Sequence, residues 1–304
     1  MRALLVVNPK ATATTARARD VLAHALASQS RIEVVETKAR GHASELAAGA
    51  VDEFDVVVAL GGDGTVNEVV NGLLAGGSRP GVPALAVVPG GSTNVFARAL
   101  GLPNSPVEAT GILLDALQNE RRRTVGLGRA DGRWFTFNGG LGFDAAVVRR
   151  VDAWRAAGYT ATPALYARNA VRHFLNRERR HAVLTLERPG AEPERLGLAL
   201  VCNTAPWTYV GARPLDPCPR ASFDTGLDVF GMRRLGAVAL LTHAAQALAR
   251  TPHVHGRGVL SVHDAAEIVL SASRPLPLQL DGEDLGDRTR VSFTSVPAAL
   301  SVVV

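Results

Sequence analysis

The stretch "VVALGGDGTVNEVVNGLL", residues 57–74, decides the fold. An apolar run ends at Leu60, three glycines surround Asp63, and a helical pattern of apolar residues follows at once. A buried strand that passes through a glycine turn into a helix is typical of an open α/β sheet. In such sheets ligands bind outside the carboxyl ends of the strands, where this turn lies.

The same alternation extends in both directions from this stretch. Strands are predicted at 2–7, 31–36, 54–60 and 83–88, and helices at 15–28, 42–51, 65–74, 93–100 and 105–119. Continuous apolar strands between helices favour a parallel, doubly wound sheet. Pro106 suits the first position of the last helix.

The pattern changes near residue 121, where short apolar runs alternate with glycine turns. Antiparallel sandwich strands are predicted at 181–187, 195–203, 226–232, 266–272 and 277–283, with helices at about 163–180 and 235–249. We therefore predict two domains, an α/β domain over 1–124 and a β-rich sandwich over 125–294. The tail, about 295–304, could pack back on either domain.

Composition sets the protein class. The chain has 304 residues, of which 47% are hydrophobic and 20% charged, as in a globular protein. No stretch reaches the roughly 18 apolar residues of a spanning helix, and the first apolar run stops at Asn8, so we expect a cytoplasmic protein. Cys202 and Cys218 give neither a disulfide framework nor a metal spacing. The net charge of +5 fits either an ordinary basic face or attraction to phosphates or a membrane.

The first glycine loop suits an anion. Gly61, Gly62 and Gly64 allow positive φ and let backbone N–H groups approach a phosphate, and the helix start favours negative charge. Asp63 would repel a phosphate, but a carboxylate there fits a bound Mg²⁺. The alternative is a simple strand-to-helix turn with an aspartate cap.

A second glycine loop follows the next strand. Gly90 and Gly91 precede the hydroxyls of Ser92 and Thr93, and Asn94 can cap the helix. Two such loops at neighbouring strand ends predict one extended polyanion site. Asn8 ends a third strand, either as part of this site or as an ordinary turn residue.

Four motifs in this order carry a family resemblance: "GGDGTVNEVVNGL" (61–73), "PGGSTNVFARALGLP" (89–103), "FNGGLGFDAAVV" (137–148) and "LDGEDL" (280–285). They resemble the diacylglycerol kinase catalytic-domain family, and within it the soluble bacterial lipid kinases related to sphingosine and ceramide kinases. The resemblance implies a first domain like those of NAD kinase and phosphofructokinase. It also implies transfer of phosphate from ATP, with Mg²⁺, to a lipid alcohol such as diacylglycerol at the inner face of the membrane.

The resemblance also implies residue roles. Asp63 would lie near the catalytic magnesium and Glu283 would be the catalytic base, which requires that the second domain face the first loop. Asp144 would touch the lipid head group or cap a helix. The implied nucleotide contacts are Thr37, Thr93 and the run from Gly62 to Glu68, which includes Thr65 and Asn67.

The chain departs from the family pattern at three sites. After Asn8-Pro9 it has Lys-Ala-Thr, where relatives have a glycine-containing turn. Gly126 stands where many relatives have an acidic residue near the magnesium, and Thr225 replaces the second acidic residue of a structural magnesium site, which leaves Asp224 as a weak candidate. Two alternatives stay open. One is a kinase for a soluble substrate such as NAD, and the other is a nucleotide- or lipid-binding regulator without catalysis.

The expected partners follow from the resemblance. They are ATP, a membrane lipid alcohol and, transiently, the membrane surface, with no nucleic acid. The basic runs at 120–123 and 176–181 are either solvated faces or part of a membrane patch. Relatives in this family often form homodimers, and the sequence leaves the oligomeric state open.

Overall fold

The computed structural model describes residues 1–12, 14, 16–28, 31–156 and 184–304. The chain forms two compact units, Met1–Leu127 together with Pro297–Val304, and Gly128–Val296. The helix predicted at 163–180 and the basic run at 176–181 lie outside the described residues. None of the described helices combines the length and the apolar character needed to cross a membrane.

The first unit alternates strands and helices, as predicted. Its elements are β1 (Arg2–Val7), α1 (Ala16–Ala27), β2 (Arg31–Glu36), α2 (His42–Ala50), β3 (Val56–Gly61), α3 (Asp63–Leu73), β4 (Ala84–Pro89), α4 (Val95–Ala99), α5 (Pro106–Gln118) and the first part of β5 (Arg122–Ala130). Ser105 caps α5 by accepting a hydrogen bond from the Glu108 amide, with Pro106 at the first helical position.

The strands of the first unit are parallel, in the order β2, β1, β3, β4. Every residue of β3 and β4 is buried, which explains why both strands read as continuous apolar runs. Val302, near the end of the chain, pairs in parallel with Leu85 of β4. Strand β1 lies between β2 and β3, so the strand order reverses direction at β1. The carboxyl ends of β1 and β3 therefore form a topological switch point.

The second unit is antiparallel. Its elements are the end of β5, β6 (Arg133–Phe135), β7 (Asn138–Leu141), α6 (Phe143–Ala156), β8 (Leu184–Glu187), β9 (Glu194–Leu196), β10 (Leu198–Cys202), β11 (Thr208–Val210), β12 (Arg213–Leu215), β13 (Leu227–Met232), α7 (Ala237–Ala247), β14 (Val259–Ala265), β15 (Glu267–Leu280) and β16 (Glu283–Val303). Strands β14, β13, β10, β7, β15 and β16 follow one another in the sheet. The predicted fold class, an α/β domain followed by an antiparallel β-sandwich, is confirmed.

Several predicted element bounds differ from the structure. The run 195–203 is two strands, because the chain changes partner at Gly197, from β8 to β7 and β13. The runs 266–272 and 277–283 belong largely to one strand, β15, whose pairing register with β16 shifts after Ser271. An irregularity of this kind accommodates Pro275 and Pro277 within the strand. Helix α3 begins at Asp63, two residues before the predicted start.

Candidate functional site

The two glycine loops of the first unit touch each other through their backbones. Gly90 N donates a hydrogen bond of 2.7 Å to the Gly61 carbonyl. A Cβ atom on Gly91 would lie 2.7 Å from Gly62 Cα, and one on Gly90 would lie 3.0 Å from Gly61 Cα. No side chain fits between the loops, so this close approach is what requires glycine here.

The expected positive φ is wrong for these glycines. Gly61, Gly62, Gly64, Gly90 and Gly91 all keep φ outside the left-handed region. Gly64 lies in the first turn of α3, and Gly62 is the N-cap residue with extended backbone. The glycine pattern at this site reflects packing between loops rather than a special backbone conformation.

Asp63 lies where the two loops meet. It is the first residue of α3, and its Oδ1 accepts a hydrogen bond of 3.2 Å from Phe96 N at the start of α4. The alternative of an aspartate that caps α3 is not seen, because Gly62 is the N-cap residue and the Asp63 carboxylate joins the second loop to the first. This contact fixes the position of one carboxylate at the carboxyl ends of β3 and β4.

Asn94 also differs from its predicted role. It holds the N-cap position of α4 in the left-handed region, φ 49°, but its side chain makes no cap bond. Instead Asn94 Oδ1 accepts from Gly91 N at 2.9 Å, and Nδ2 donates to the Gly91 carbonyl at 2.8 Å. Asn94 is buried and thus fixes the second glycine loop.

The end of β1 joins the same cluster. Asn8 N donates to the Leu60 carbonyl at 2.9 Å, and Asn8 Nδ2 donates to Thr65 Oγ1 at 2.9 Å. Thr37 follows β2, and its amide donates to the Val7 carbonyl at 2.8 Å. The structure therefore brings the predicted residues of four strand ends into one region, and a nucleotide-binding role for them stays a prediction.

Two predicted residues on α3 have structural contacts. Both Glu68 carboxylate oxygens accept backbone N–H groups at the start of α2, from Gly41 at 2.9 Å and from Ala43 at 3.2 Å. Asn67 is fully buried, and its Oδ1 accepts from Asn71 Nδ2 at 3.1 Å. Glu68 thus contacts the amino end of α2, where a carboxylate is favoured. Asn67 is held by Asn71 on the same helix.

The second glycine loop also carries exposed hydroxyls. Ser92 is exposed, and its Oγ lies 3.5 Å from Thr93 Oγ1. Thr14, which the sequence did not single out, has a buried Oγ1 that has no hydrogen-bond partner among the described residues. A Cβ atom on Gly90 would lie 2.5 Å from that oxygen. An unpaired buried hydroxyl beside a glycine loop marks Thr14 as a further candidate contact.

The donor set fits ATP with Mg²⁺. No side chain caps the amino end of α3, so its first amide groups suit a phosphate. Asp63 supplies one carboxylate, while Glu68 is bound to α2. Magnesium bound to a nucleotide takes one or two carboxylates and completes its shell with phosphate oxygens and water. The arrangement thus suits a metal that the nucleotide brings with it.

A cavity of about 860 Å³ in the first unit lies elsewhere. Met1, Asp55 and Pro83, which line it, precede or begin β1, β3 and β4. This is the opposite end of the sheet from the glycine loops. In an open α/β sheet the carboxyl ends bind ligands, so we assign the site to the loops.

In the second unit, Asp281 fixes the turn of the β15–β16 hairpin. Asp281 and Gly282 have φ of 50° and 78°, as in the two-residue turns favoured by Asp-Gly. Asp281 in this turn is only 4% exposed. Its carboxylate accepts four hydrogen bonds, from Thr136 N, Thr136 Oγ1, Phe137 N and Asn138 N, at 2.7 to 3.1 Å.

Glu283 follows this turn at the start of β16. Its Oε2 accepts a hydrogen bond of 3.0 Å from Arg133 on β6, and the Glu283 side chain is 15% exposed. The guanidinium favours the ionised carboxylate, which is the form that can accept a proton. The sequence did not single out Arg133, because nothing near it in the chain points to Glu283.

Asp144 lies at the start of α6 and is buried. Burial raises its pKa from 3.8 to about 6, and a hydrogen bond from Gln279 partly opposes that shift. Gln279 Nε2 donates to Asp144 Oδ2 at 3.0 Å, and Gln279 Oε1 accepts from Gly282 N at 2.9 Å. Asp144 Oδ1 is buried without a hydrogen-bond partner among the described residues. Gln279, which sequence reasoning missed, therefore connects Asp144 to the turn before Glu283.

The glycines before Asp144 have separate roles. Gly142 adopts φ 100° and lets β7 turn into α6. A Cβ atom on Gly140 would overlap the Asp144 carboxylate, and one on Gly139 would lie 2.8 Å from Leu280 Cδ2. Only the last of the three is a turn residue, while the other two make room for packing within the unit.

A structural metal at Asp224, the weak candidate, stays a prediction. Asp224 is exposed, and its neighbour Asp228 is buried and accepts from His263 Nδ1 at 2.8 Å and Asp264 N at 3.0 Å. Across the described ranges, no group of three or more His, Cys, Asp or Glu side chains is arranged to hold a metal. Gly126, at another departure from the family pattern, is buried in β5.

Two known protein families match different parts of the chain. Residues 2–130 match the family described as "Diacylglycerol kinase catalytic domain", and residues 140–304 match the "YegS C-terminal NAD kinase beta sandwich-like domain". The chain belongs to the family that joins a diacylglycerol kinase catalytic domain to a YegS C-terminal domain.

The chain is similar in sequence to bacterial diacylglycerol kinases over part of its length. The chain is 44% identical over 94 residues to the diacylglycerol kinase of Bacillus subtilis (strain 168), and 38% identical over 84 residues to that of Staphylococcus aureus (strain JH9). These matches cover 31% and 28% of this chain, and only 28% and 24% of the relatives. The chain thus matches about a quarter of the length of these curated relatives.

Solved structures show the same fold over the whole chain. A putative diacylglycerol kinase from Bacillus anthracis str. Sterne has a TM-score of 0.78 at 22% identity, covering 99% of this chain and 97% of that one. An NAD kinase from Archaeoglobus fulgidus in complex with ATP has a TM-score of 0.53 at 11% identity, covering 100% and 94%. These similarities agree with the first-domain likeness to NAD kinase that the motifs implied.

Proposed function

We propose that the protein is an ATP- and Mg²⁺-dependent lipid kinase that phosphorylates the hydroxyl of diacylglycerol or a related lipid alcohol, giving a phosphatidic acid-type product. The match of residues 2–130, which include both glycine loops, to the diacylglycerol kinase catalytic domain carries this proposal. The curated relatives named above are themselves diacylglycerol kinases. The enzyme would act in the cytoplasm and transiently at the inner face of the membrane.

The first unit would bind the nucleotide. The uncapped amino end of α3 offers N–H groups to phosphate oxygens, and the hydroxyls of Ser92, Thr93 and Thr14 lie on or beside the second loop. Asp63 would hold Mg²⁺, which when bound neutralises charge that develops on the transferred phosphoryl group. Glu68 would support this loop through α2 rather than contact phosphate.

The reaction needs one proton acceptor. The lipid hydroxyl oxygen would bond to the γ-phosphorus of ATP while the bond from that phosphorus to the β,γ-bridging oxygen breaks, and ADP leaves with those electrons. Glu283 would take the hydroxyl proton, and the hydrogen bond from Arg133 would orient its carboxylate. Asp281 would position Glu283 by fixing the hairpin turn.

Asp144 would bind the lipid side of the reaction. Its unpaired Oδ1 can accept a hydrogen bond from a hydroxyl or glycerol oxygen of a substrate, and Gln279 links it to the turn before Glu283. With a pKa of about 6, Asp144 is mostly ionised at neutral pH and would act as an acceptor there.

The test is transfer of labelled phosphate from ATP to a panel of dispersed lipid alcohols, with NAD as a soluble acceptor. Glu283→Gln should lower the turnover number by about 10² to 10⁴-fold, because it removes the general base. Glu267→Gln, an exposed position on the partner strand β15, is the matched control and should keep full activity.

Three outcomes separate the alternatives. Equal transfer by the wild type and Glu283→Gln would reject the base assignment. Strong activity on NAD with none on lipids would favour a soluble-substrate kinase. Binding of ATP with Mg²⁺ in calorimetry, without turnover on any acceptor, would favour a regulator, for which Gly126 in place of an acidic residue is the motivation.

A further inference from the structure

Helix α7 of the second unit presents an unusual exposed apolar stripe. Val238 is 80% exposed and Leu241 is 70% exposed, although apolar side chains of that size normally pack in a core. Thr242 and Ala245 are also exposed, so the open positions recur at helical spacing along one face. The opposite face is buried through His243 and Ala247.

The buried face explains why α7 is held in place. The His243 ring packs edge to face on Phe230, with 6.2 Å between ring centroids. Gln246 Oε1 lies 3.0 Å from His243 Nδ1 and accepts from His255 N at 3.3 Å, which ties the loop after α7 to the helix. The exposed stripe therefore lies on a helix that is held in place by contacts of its opposite, buried face.

The chain segment around the stripe contains arginines and no acidic residue. No acidic residue occurs between Asp228 and Asp264, whereas arginines occur at 233, 234, 250 and 257. Arg233 pairs with Glu194. Arg234, Arg250 and Arg257 are exposed, and they have no ion-pair partner in the described part of the chain. Arg234 precedes α7, and Arg250 and Arg257 follow it, the latter next to Gly256 at the His243 ring.

We propose that α7, with Val238 and Leu241 as apolar contacts and Arg234, Arg250 and Arg257 as cationic contacts, is the surface by which this protein docks on an anionic membrane. The proposal rests on the proposed function, because a kinase for a bilayer lipid must meet its substrate at an interface. A fixed helix with one apolar face and flanking arginines lies in the plane of such an interface.

Charge favours the membrane over a second copy of this chain. A two-fold symmetric contact through α7 would bring the same arginines of both copies against each other, without an acidic residue from this segment to pair with them. An anionic lipid surface supplies the opposite charge over the whole patch and accepts the apolar stripe at the same time.

Flotation of the full chain with vesicles tests the surface. One set of vesicles is phosphatidylcholine, and the other is an equimolar mixture of phosphatidylcholine and phosphatidylglycerol. The double variant Val238→Ser with Leu241→Ser should bind the anionic vesicles at least about tenfold more weakly, because two apolar contacts are lost. Replacing Arg234, Arg250 and Arg257 by Gln should weaken binding by roughly fivefold per arginine.

The control is Val107→Ser, which removes a side chain that is 74% exposed on α5 of the first unit. It should leave vesicle binding unchanged. Equal binding by the wild type and both α7 variants, or an equal loss with Val107→Ser, would overturn the proposal. So would analytical ultracentrifugation in which the α7 serine variant splits a wild-type dimer, because that would make this face a subunit interface.

A second readout separates this proposal from the proposed function. Turnover on a soluble short-chain diacylglycerol should be the same in the wild type and the α7 serine variant. If the wild type phosphorylates no lipid yet binds anionic vesicles through α7, the proposed function fails and the docking surface stands. If it phosphorylates diacylglycerol while the α7 variants bind vesicles like the wild type, only the docking surface fails.

Discussion

The glycine loops of the first unit and the Asp281–Gly282 turn of the second unit hold their shape by different means. Gly62 and Gly91 meet through bare backbone, with no room for a Cβ atom. The turn is fixed by one buried carboxylate that accepts four hydrogen bonds. Packing thus limits residue size in the first unit, whereas electrostatics limits residue type in the second.

The largest expected effect is on the turn. Asp281→Ala leaves the donors of residues 136–138 unpaired inside the protein and should lower the free energy of unfolding by about 3–5 kcal/mol. Urea unfolding followed by circular dichroism measures this loss.

The matched control is Asp131→Ala in the other Asp-Gly turn, Asp131–Gly132. Asp131 also has positive φ, 45°, but it is exposed, and its carboxylate accepts a hydrogen bond of 3.0 Å from Ser292 N. Alanine meets the same backbone strain at both positions, so the difference between the variants isolates the buried carboxylate. Equal losses would mean that backbone strain, not the carboxylate, fixes the turn.

The next effect concerns Asp144 and depends on pH. Its pKa in the folded protein, about 6, lies above the unfolded value near 3.8, so the folded protein binds more protons between about pH 4 and pH 6. The free energy of unfolding therefore falls as the pH rises through this window. Asp144→Asn removes the cost of a buried charge and should stabilise the protein by up to about 3 kcal/mol at pH 8.

Below about pH 4 the stabilisation by Asp144→Asn should disappear, since the wild-type carboxyl is then neutral in both states. Unfolding curves of both proteins from pH 4 to pH 8 check this. A constant difference over that range would contradict the assignment of a buried, partly unpaired carboxylate at position 144.

The smallest effect is expected in the glycine loops. Gly91→Ala places a Cβ atom 2.7 Å from Gly62 Cα and should cost about 1–3 kcal/mol, together with weaker ATP binding, because one loop must move. Gly111→Ala is the control. That glycine is exposed in α5 with nothing within 4 Å of an added Cβ, so alanine there should stabilise by about 0.5–1 kcal/mol.

Thermal unfolding and ATP calorimetry on both glycine variants decide this comparison. A Gly91→Ala protein with wild-type stability and ATP affinity would show that the loops can separate without cost. The glycine loops would then differ from the Asp281 turn in rigidity and not in the kind of interaction that holds them.

Much of the fold could be predicted from the sequence. Strands β1 and β2 have the predicted bounds, and Pro106 begins α5 as expected. The predictions failed where long-range pairing overrides local pattern. Gly197 divides one apolar run between two partners, and the shift after Ser271 lets β15 continue through Pro275 and Pro277.

The candidate site was predicted in part. The sequence placed Asn8, Gly61 and Gly90 at strand ends, and parallel order brings those ends together. It could not give the contacts between Asp63 and Phe96 or between Glu68 and Gly41, because these residues are far apart in the chain.

The sequence by itself determined the alternation of strands and helices, the antiparallel second unit and the family, since periodicity, glycine turns and ordered motifs are local properties of the chain. Only the tertiary structure decided why particular residues are required. Gly91 is glycine because Gly62 lies against it, Asp281 is aspartate because four donors converge on it, and Val238 is exposed because α7 packs through its other face. Each of these depends on which distant segments meet, and strand order and sheet pairing set that.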